Sequence, residues 1–143
     1  MIKSHEVYGV HNKLLAEGNY KGFYYTAISL GSHPCCYICI PSGRPIAVDS
    51  INCHYGVTYH KEYLHCSDLI DQSLIDYDEG WWIGWDYAHL YDYIYISELP
   101  REPRDYEKTY TSEELEEDCK KAIDSILNPD WWKEVIEDDE NLS

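Results

Sequence analysis

Phenylalanine and methionine occur once each among 143 residues, against 15 Tyr and 5 Trp. Nearly every large ring in this chain therefore carries a hydroxyl or an indole N–H that needs a partner when buried and suits a wet binding surface when exposed. Basic residues are also scarce, 11 Lys and Arg against 27 Asp and Glu. That shortage excludes a general electrostatic grip on DNA or RNA, which needs a basic stripe. No apolar run approaches the roughly 20 residues of a membrane span. The opening residues 1–6, MIKSHE, lack the apolar stretch of a secretory signal, so a soluble, cytosolic protein with no membrane partner is expected. In that setting the six Cys read as reduced thiols and not as a disulfide framework. Internal repeats are absent too.

What is present is ordinary in bulk: 44% apolar and 27% charged residues, values of a globular domain that exclude wholesale disorder. The length fits one domain over 1–143, with a core at about 20–127 and an acidic tail at about 137–143. The charge is lopsided. Residues 1–66 hold 5 Lys/Arg against 4 Asp/Glu, while residues 67–143 hold 6 against 23, net −17. An acidic face that imitates DNA is one reading of that second half.

Segments 22–30 and 35–40 are rich in aromatic, β-branched and Cys residues and are separated by Gly31-Ser32-His33-Pro34, which predicts two neighbouring strands. Cys36 and Cys39 match C-x-x-C, but three positions apart in a strand they point to opposite faces, which disfavours redox or zinc work. Further strands are predicted near 56–60 and 81–87, with residues 61–80 as a polar surface excursion holding one helical turn. Thr111-Ser112-Glu113-Glu114 is a capping box, and Leu115, Cys119, Ala122, Ile123 and Ile126 recur at helical spacing, so a helix is predicted over 112–127. Asn128-Pro129 ends it and opens a short second helix containing Trp131, Trp132, Val135 and Ile136. The expected fold class is α+β, a small, mainly antiparallel sheet covered by the C-terminal helix.

Two segments carry more polar and aromatic groups than a plain core needs, 51–59 (INCHYGVTY) and 81–92 (WWIGWDYAHLYD). Asp86, His89 and Asp92 recur at a spacing of three, so a turn brings them to one side. With His54 they form a constellation suited to a divalent ion, a ligand hydroxyl or acid/base chemistry. A purely structural role, holding a loop through backbone hydrogen bonds, is the competing reading. Trp81 and Trp85 are expected in the core of one strand face, and Trp82 on the other face as a stacking platform, with Gly84 leaving room for a flat ligand. Arg44, in the loop 41–45 (PSGRP), has the guanidinium to clamp a phosphate. The expected ligand-binding set is Arg44, His54, Tyr55, Thr58, Trp82, Asp86, His89 and Asp92, with no catalytic residue, metal or cofactor assigned. His5, His11, His33, His60 and His65 receive no role.

The runs GSHPCCYICIPSGRP at 31–45, INCHYGVTY and WWIGWDYAHLYD resemble, in that order, a family of small proteins encoded by tailed bacteriophages. Its pattern is approximately G-H-x-C-G-Y-V-x-V-P-x-G-H-P, then V-x-C/V-H-G-G-L-T-Y/F, then W-W-x-G-F/W-D-x-A-H-x-G-D, followed by an acidic helix. The resemblance spans about residues 27–127 and carries over His54, Gly56, Thr58, Trp82, Gly84, Asp86, Ala88, His89 and Asp92. It departs at Arg44, where the family tends to have His, and at Tyr55 and Tyr91, where it tends to have Gly. The resemblance implies a phage protein acting in the host cytoplasm against bacterial defence. Sequestration of a nucleotide-derived immune signal, without degradation, is the leading expectation, because His, Asp, Tyr and Trp suit a ribose hydroxyl and a base. A metal-assisted hydrolase of such a signal and an acidic inhibitor of a defence protein are the alternatives. Homo-oligomerisation is expected, since exposed rings on a short chain favour burial between subunits.

Overall fold

A computed structural model describes residues 7–9, 11–77 and 80–128. The expected second helix over 129–136 and the acidic tail lie outside the described residues. Five strands, β1 (Lys13–Tyr20), β2 (Phe23–Ser29), β3 (Pro34–Pro41), β4 (Tyr59–Lys61) and β5 (Gly80–Asp86), precede one helix, α1 (Ser112–Leu127). The strands form one antiparallel sheet in the order β1-β2-β3-β5-β4, so the fold is α+β as the sequence predicts. Among the described residues no helix is long and apolar enough to cross a membrane.

β1 and β2 are joined at Lys21-Gly22, both with positive φ (50° and 89°). Two such residues between paired strands make the type I′ turn whose twist matches the strands. β1 escapes the sequence reading for a local reason: its pairing shifts between Leu14 and Ala16. That bulge breaks the period-two alternation by which a strand is recognised. β2 is buried along its whole length, as expected of a run of aromatic and β-branched residues in a sheet covered on both faces.

Two cores result. On one face, Phe23, Tyr25, Ala27, Cys36, Ile38, Ile40, Ile83 and Trp85 pack with Leu115, Cys119, Ala122, Ile123 and Ile126 of α1. The helix begins at the predicted capping box, with Thr111 Oγ1 accepting from Glu114 N (3.2 Å) and Glu114 Oε1 accepting from Thr111 N (3.1 Å). On the other face, Tyr24, Ile28, Cys35, Tyr37, Cys39 and Trp82 pack against Leu64, Cys66 and Ile70. Residues 61–77 are thus a cover over the sheet and not merely a surface excursion. Leu64, Cys66 and Ile70 are buried on either side of the short 3-10 turn Ser67–Leu69, a second 3-10 turn follows at Gln72–Leu74, and Asp68 and Asp71 stay exposed. Cys36 and Cys39 fall in different cores, and all six thiols are free.

Candidate functional site

At the end of the sheet where Cys35 pairs with Asp86, three loops meet. β5 ends at Asp86, whose Oδ1 accepts from Ala88 N at 3.1 Å and turns the chain out of the sheet. A tight turn follows, with Asp92 N donating to His89 O at 2.9 Å and Tyr91 in the left-handed region at φ 73°. Reciprocal bonds with the stretch before α1 hold this turn: Lys108 N donates to Tyr91 O (2.7 Å) and Tyr93 N to Lys108 O (2.9 Å). The third loop is the turn 53–56, closed by Gly56 N donating to Cys53 O (3.2 Å) and drawn onto β5 by Thr58 N donating to Gly84 O (2.9 Å).

Asp92 is the hub, 5% exposed. Its carboxylate accepts from His54 Nε2 (2.8 Å), His89 N (3.0 Å) and the Tyr110 hydroxyl (2.9 Å). A carboxylate accepts and does not donate, so His54 carries its proton on Nε2, and in the neutral ring Nδ1 keeps a lone pair. A second His–Asp pair lies beside the first. Asp86 Oδ2 accepts from the Thr58 hydroxyl at 3.3 Å, and His89 Nε2 stands 3.2 Å from Asp86 Oδ1. That approach misses the angle of a hydrogen bond, so the buried His89 Nε2 has no hydrogen-bond partner.

Rings wall the two pairs. Tyr87 stacks on His54 (centroids 4.7 Å, 11° between planes) and Tyr55 on His89 (4.3 Å, 11°), while the two imidazoles sit 5.7 Å apart. Tyr87 ties the site to α1, its hydroxyl accepting from Trp85 Nε1 (2.9 Å) and donating to Asp118 (2.7 Å). Burial pushes the Tyr87 phenol far above its ordinary pKa. Tyr55 is bulky yet left-handed at φ 59°. Both positions where the resemblance has glycine, 55 and 91, thus adopt the backbone that glycine tolerates best.

The convergence of His54, Tyr55, Thr58, Asp86, His89 and Asp92 is therefore geometric fact. Two expected members are elsewhere. Arg44 lies past Pro41, which pairs with Gly80 at the far end of the sheet, and its guanidinium sits over the Phe23 ring at 5.0 Å. Trp82 is 7% exposed, edge-on to Tyr24 at 5.9 Å within the second core. Trp85, only 1% exposed, is in the core beneath α1, and Trp81 packs partly buried against that same core. β5 is thus apolar on both faces, and the room beside Gly84 is filled by the Tyr37 ring: a Cβ there would meet Tyr37 Cδ1 at 2.5 Å. Trp82 is a packing residue, not a ligand platform.

Three residues without a predicted role join the site. Tyr110 and Tyr87 contact it as described. Burial lowers the pKa of His33, partly offset by the charges of Asp86 and Asp92 nearby. The hairpin 29–35 was the available signal for His33, since β3 starts at the end of the sheet where β5 finishes. Tyr110 had none, because its approach to Asp92 depends on the path of the chain after residue 92.

Beyond Tyr110 an open depression of about 320 Å³ is lined by Lys108, Lys121 and the four carboxylates of Glu113, Glu114, Glu117 and Asp118. Acids outnumber lysines there, so it is a poor cradle for phosphate. Among the described residues no three His, Cys, Asp or Glu side chains are grouped to hold a metal ion. Compared with models of known protein families, with curated proteins and with solved structures, the chain has no significant match in any of the three.

Proposed function

We propose that the His54, Asp86, His89 and Asp92 cluster binds the nucleoside part of a small nucleotide-derived ligand and holds it without turnover. The observation that carries this reading is the buried His89 Nε2, which has no hydrogen-bond partner although it stands 3.2 Å from the Asp86 carboxylate, beside Asp92, whose carboxylate accepts three hydrogen bonds. A network serving only to pin loops gains nothing from leaving such a nitrogen unsatisfied, and a ligand hydroxyl or ring nitrogen would complete it. With Arg44 at the far end of the sheet, base and ribose recognition, not a phosphate clamp, is what these residues suit. In keeping with the resemblance to phage proteins, the ligand is an immune signal of the infected bacterium, the place of action is the host cytoplasm, and a homo-oligomer is its form.

The acidic-inhibitor alternative has less support. Carboxylates of α1 are engaged within the chain: Glu116 accepts from Tyr25, Asp118 from Tyr87, and Glu114 and Asp124 pair with Lys108 and Lys21. The test is a panel of cyclic dinucleotides and ADP-ribose derivatives in a thermal-shift assay. A bound member at a hundredfold over its Kd stabilises by about 2.7 kcal/mol, which raises Tm by roughly 5–10 °C. His89→Ala abolishes that rise, and the ligand is recovered unchanged after heating. Product in the recovered fraction would instead make the His54–Asp92 pair a general base and the protein a hydrolase. No rise with any member overturns the binding reading.

A further inference from the structure

The placement of Tyr55 is unusual on three independent counts. Its backbone is left-handed at φ 59°, a conformation that costs a bulky residue about 1–3 kcal/mol. The residue is 59% exposed, so little burial offsets that cost. It nevertheless lies flat on His89 with centroids 4.3 Å apart and planes within 11°. Its hydroxyl makes one long bond, donating to Leu90 O at 3.3 Å. Apart from that bond and an edge contact with His54 (centroids 4.7 Å), this exposed ring is held by stacking on the imidazole whose Nε2 has no hydrogen-bond partner, in the way a planar ligand would be.

We propose that Tyr55 is a displaceable lid: an aromatic ring of the ligand takes its place on His89 while Tyr55 swings outward on the turn 53–56. This rests on the binding reading above and adds to it the place where the ligand's aromatic ring sits and a residue that sets affinity. Gly56, the next residue and also left-handed at φ 82°, provides the backbone freedom for the swing. Opening frees the flat face of His89 for the incoming ring. The closed lid reduces the competent fraction of the free protein, so apparent affinity is lowered by that fraction.

Two probes test this, adenosine and p-cresol, the latter reproducing the displaced ring itself. Each is titrated into the wild-type chain, Tyr55→Gly and Tyr55→Phe while the ring-proton resonances of His89 are followed. Tyr55→Gly removes the lid and relieves the left-handed strain, and it binds both probes about tenfold or more tighter than wild type, as expected when the closed form dominates. Tyr55→Phe keeps the stacked ring and stays within about threefold of wild type. In the wild-type chain, adenosine shifts His89 and moves the Tyr55 ring resonances toward those of an unstacked tyrosine. The lid is overturned if Tyr55→Gly gains no affinity, if it fails to fold, or if neither probe shifts His89. A nucleotide that raises the wild-type Tm while leaving His89 and Tyr55 unmoved overturns the lid alone. Failure of every ligand removes the site as well.

Discussion

Asp92 concentrates the chemistry of the site in one carboxylate. Three donors from three loops end on it, His54 Nε2, His89 N and Tyr110 Oη, so the bonds that hold the loops at the site also orient the His54 imidazole and fix the backbone that carries His89. Replacing it by the isosteric amide, Asp92→Asn, puts an NH₂ against at least one of those donors. We expect a loss of about 2–3 kcal/mol, the cost of unpairing a buried charged-group bond. Urea denaturation should show a lower midpoint with an unchanged slope. A midpoint within error of wild type would mean that the loops are held by something else. His54 and His89 share the hub but differ in consequence: the first has its Nε2 satisfied by Asp92, whereas the second keeps an unpaired one.

At the scale of elements, β5 settles what the aromatic run does. Ile83 and Trp85 face the helix core and Trp82 faces the second core. Trp82→Ala and Trp85→Ala should therefore each cost about 3–5 kcal/mol. Gly84→Ala should cost about 1–3 kcal/mol, because the added methyl collides with Tyr37 and the Cys36 carbonyl. Thermal melts of the three variants check this, and a Trp82→Ala chain as stable as wild type would restore Trp82 to the binding surface. The strands β2, β3 and β5 and the capped helix were legible because residue type, breakers and periodicity agreed there. The bulge in β1 hid its alternation, and the second core was invisible because Leu64, Cys66 and Ile70 are scattered among acids without a period. The motif segments did locate His54, Asp86, His89 and Asp92. They gave no warning that Arg44 sits at the other end of β3, since a loop next to a strand in sequence is a strand's length away from its far end.

For the whole molecule, the tyrosine-rich interior dictates how stability depends on pH. Burial raises the phenols of Tyr8, Tyr24, Tyr37, Tyr87 and Tyr110 above their ordinary pKa, and pushes the thiols of Cys35 and Cys53 up to about 12. These groups stay protonated in the folded chain while the unfolded chain gives up its protons from about pH 8.5 for Cys and about 10 for Tyr. Their contribution is fully present below those values and is lost as pH rises, so Tm should fall steadily above about pH 9. Tyrosinate absorbance from the buried rings should then appear together with unfolding, and absorbance beyond what the exposed Tyr55, Tyr63, Tyr91 and Tyr106 supply, forming well before the fold is lost, would contradict it. The acid side has its own limb. The bidentate Arg101 guanidinium holds Glu107 down to about 2, so that pair's contribution is present above the ordinary Glu range and fades as pH falls toward 2. The central claim, that the two His–Asp pairs are a binding site, is tested most directly by native mass spectrometry of the protein isolated from infected bacteria. The account predicts a mass excess of one small molecule per protomer, released intact on heating and absent from a His54→Ala, His89→Ala double variant that still folds. Wild-type protein at its bare chain mass, or an excess that the double variant retains, would contradict it.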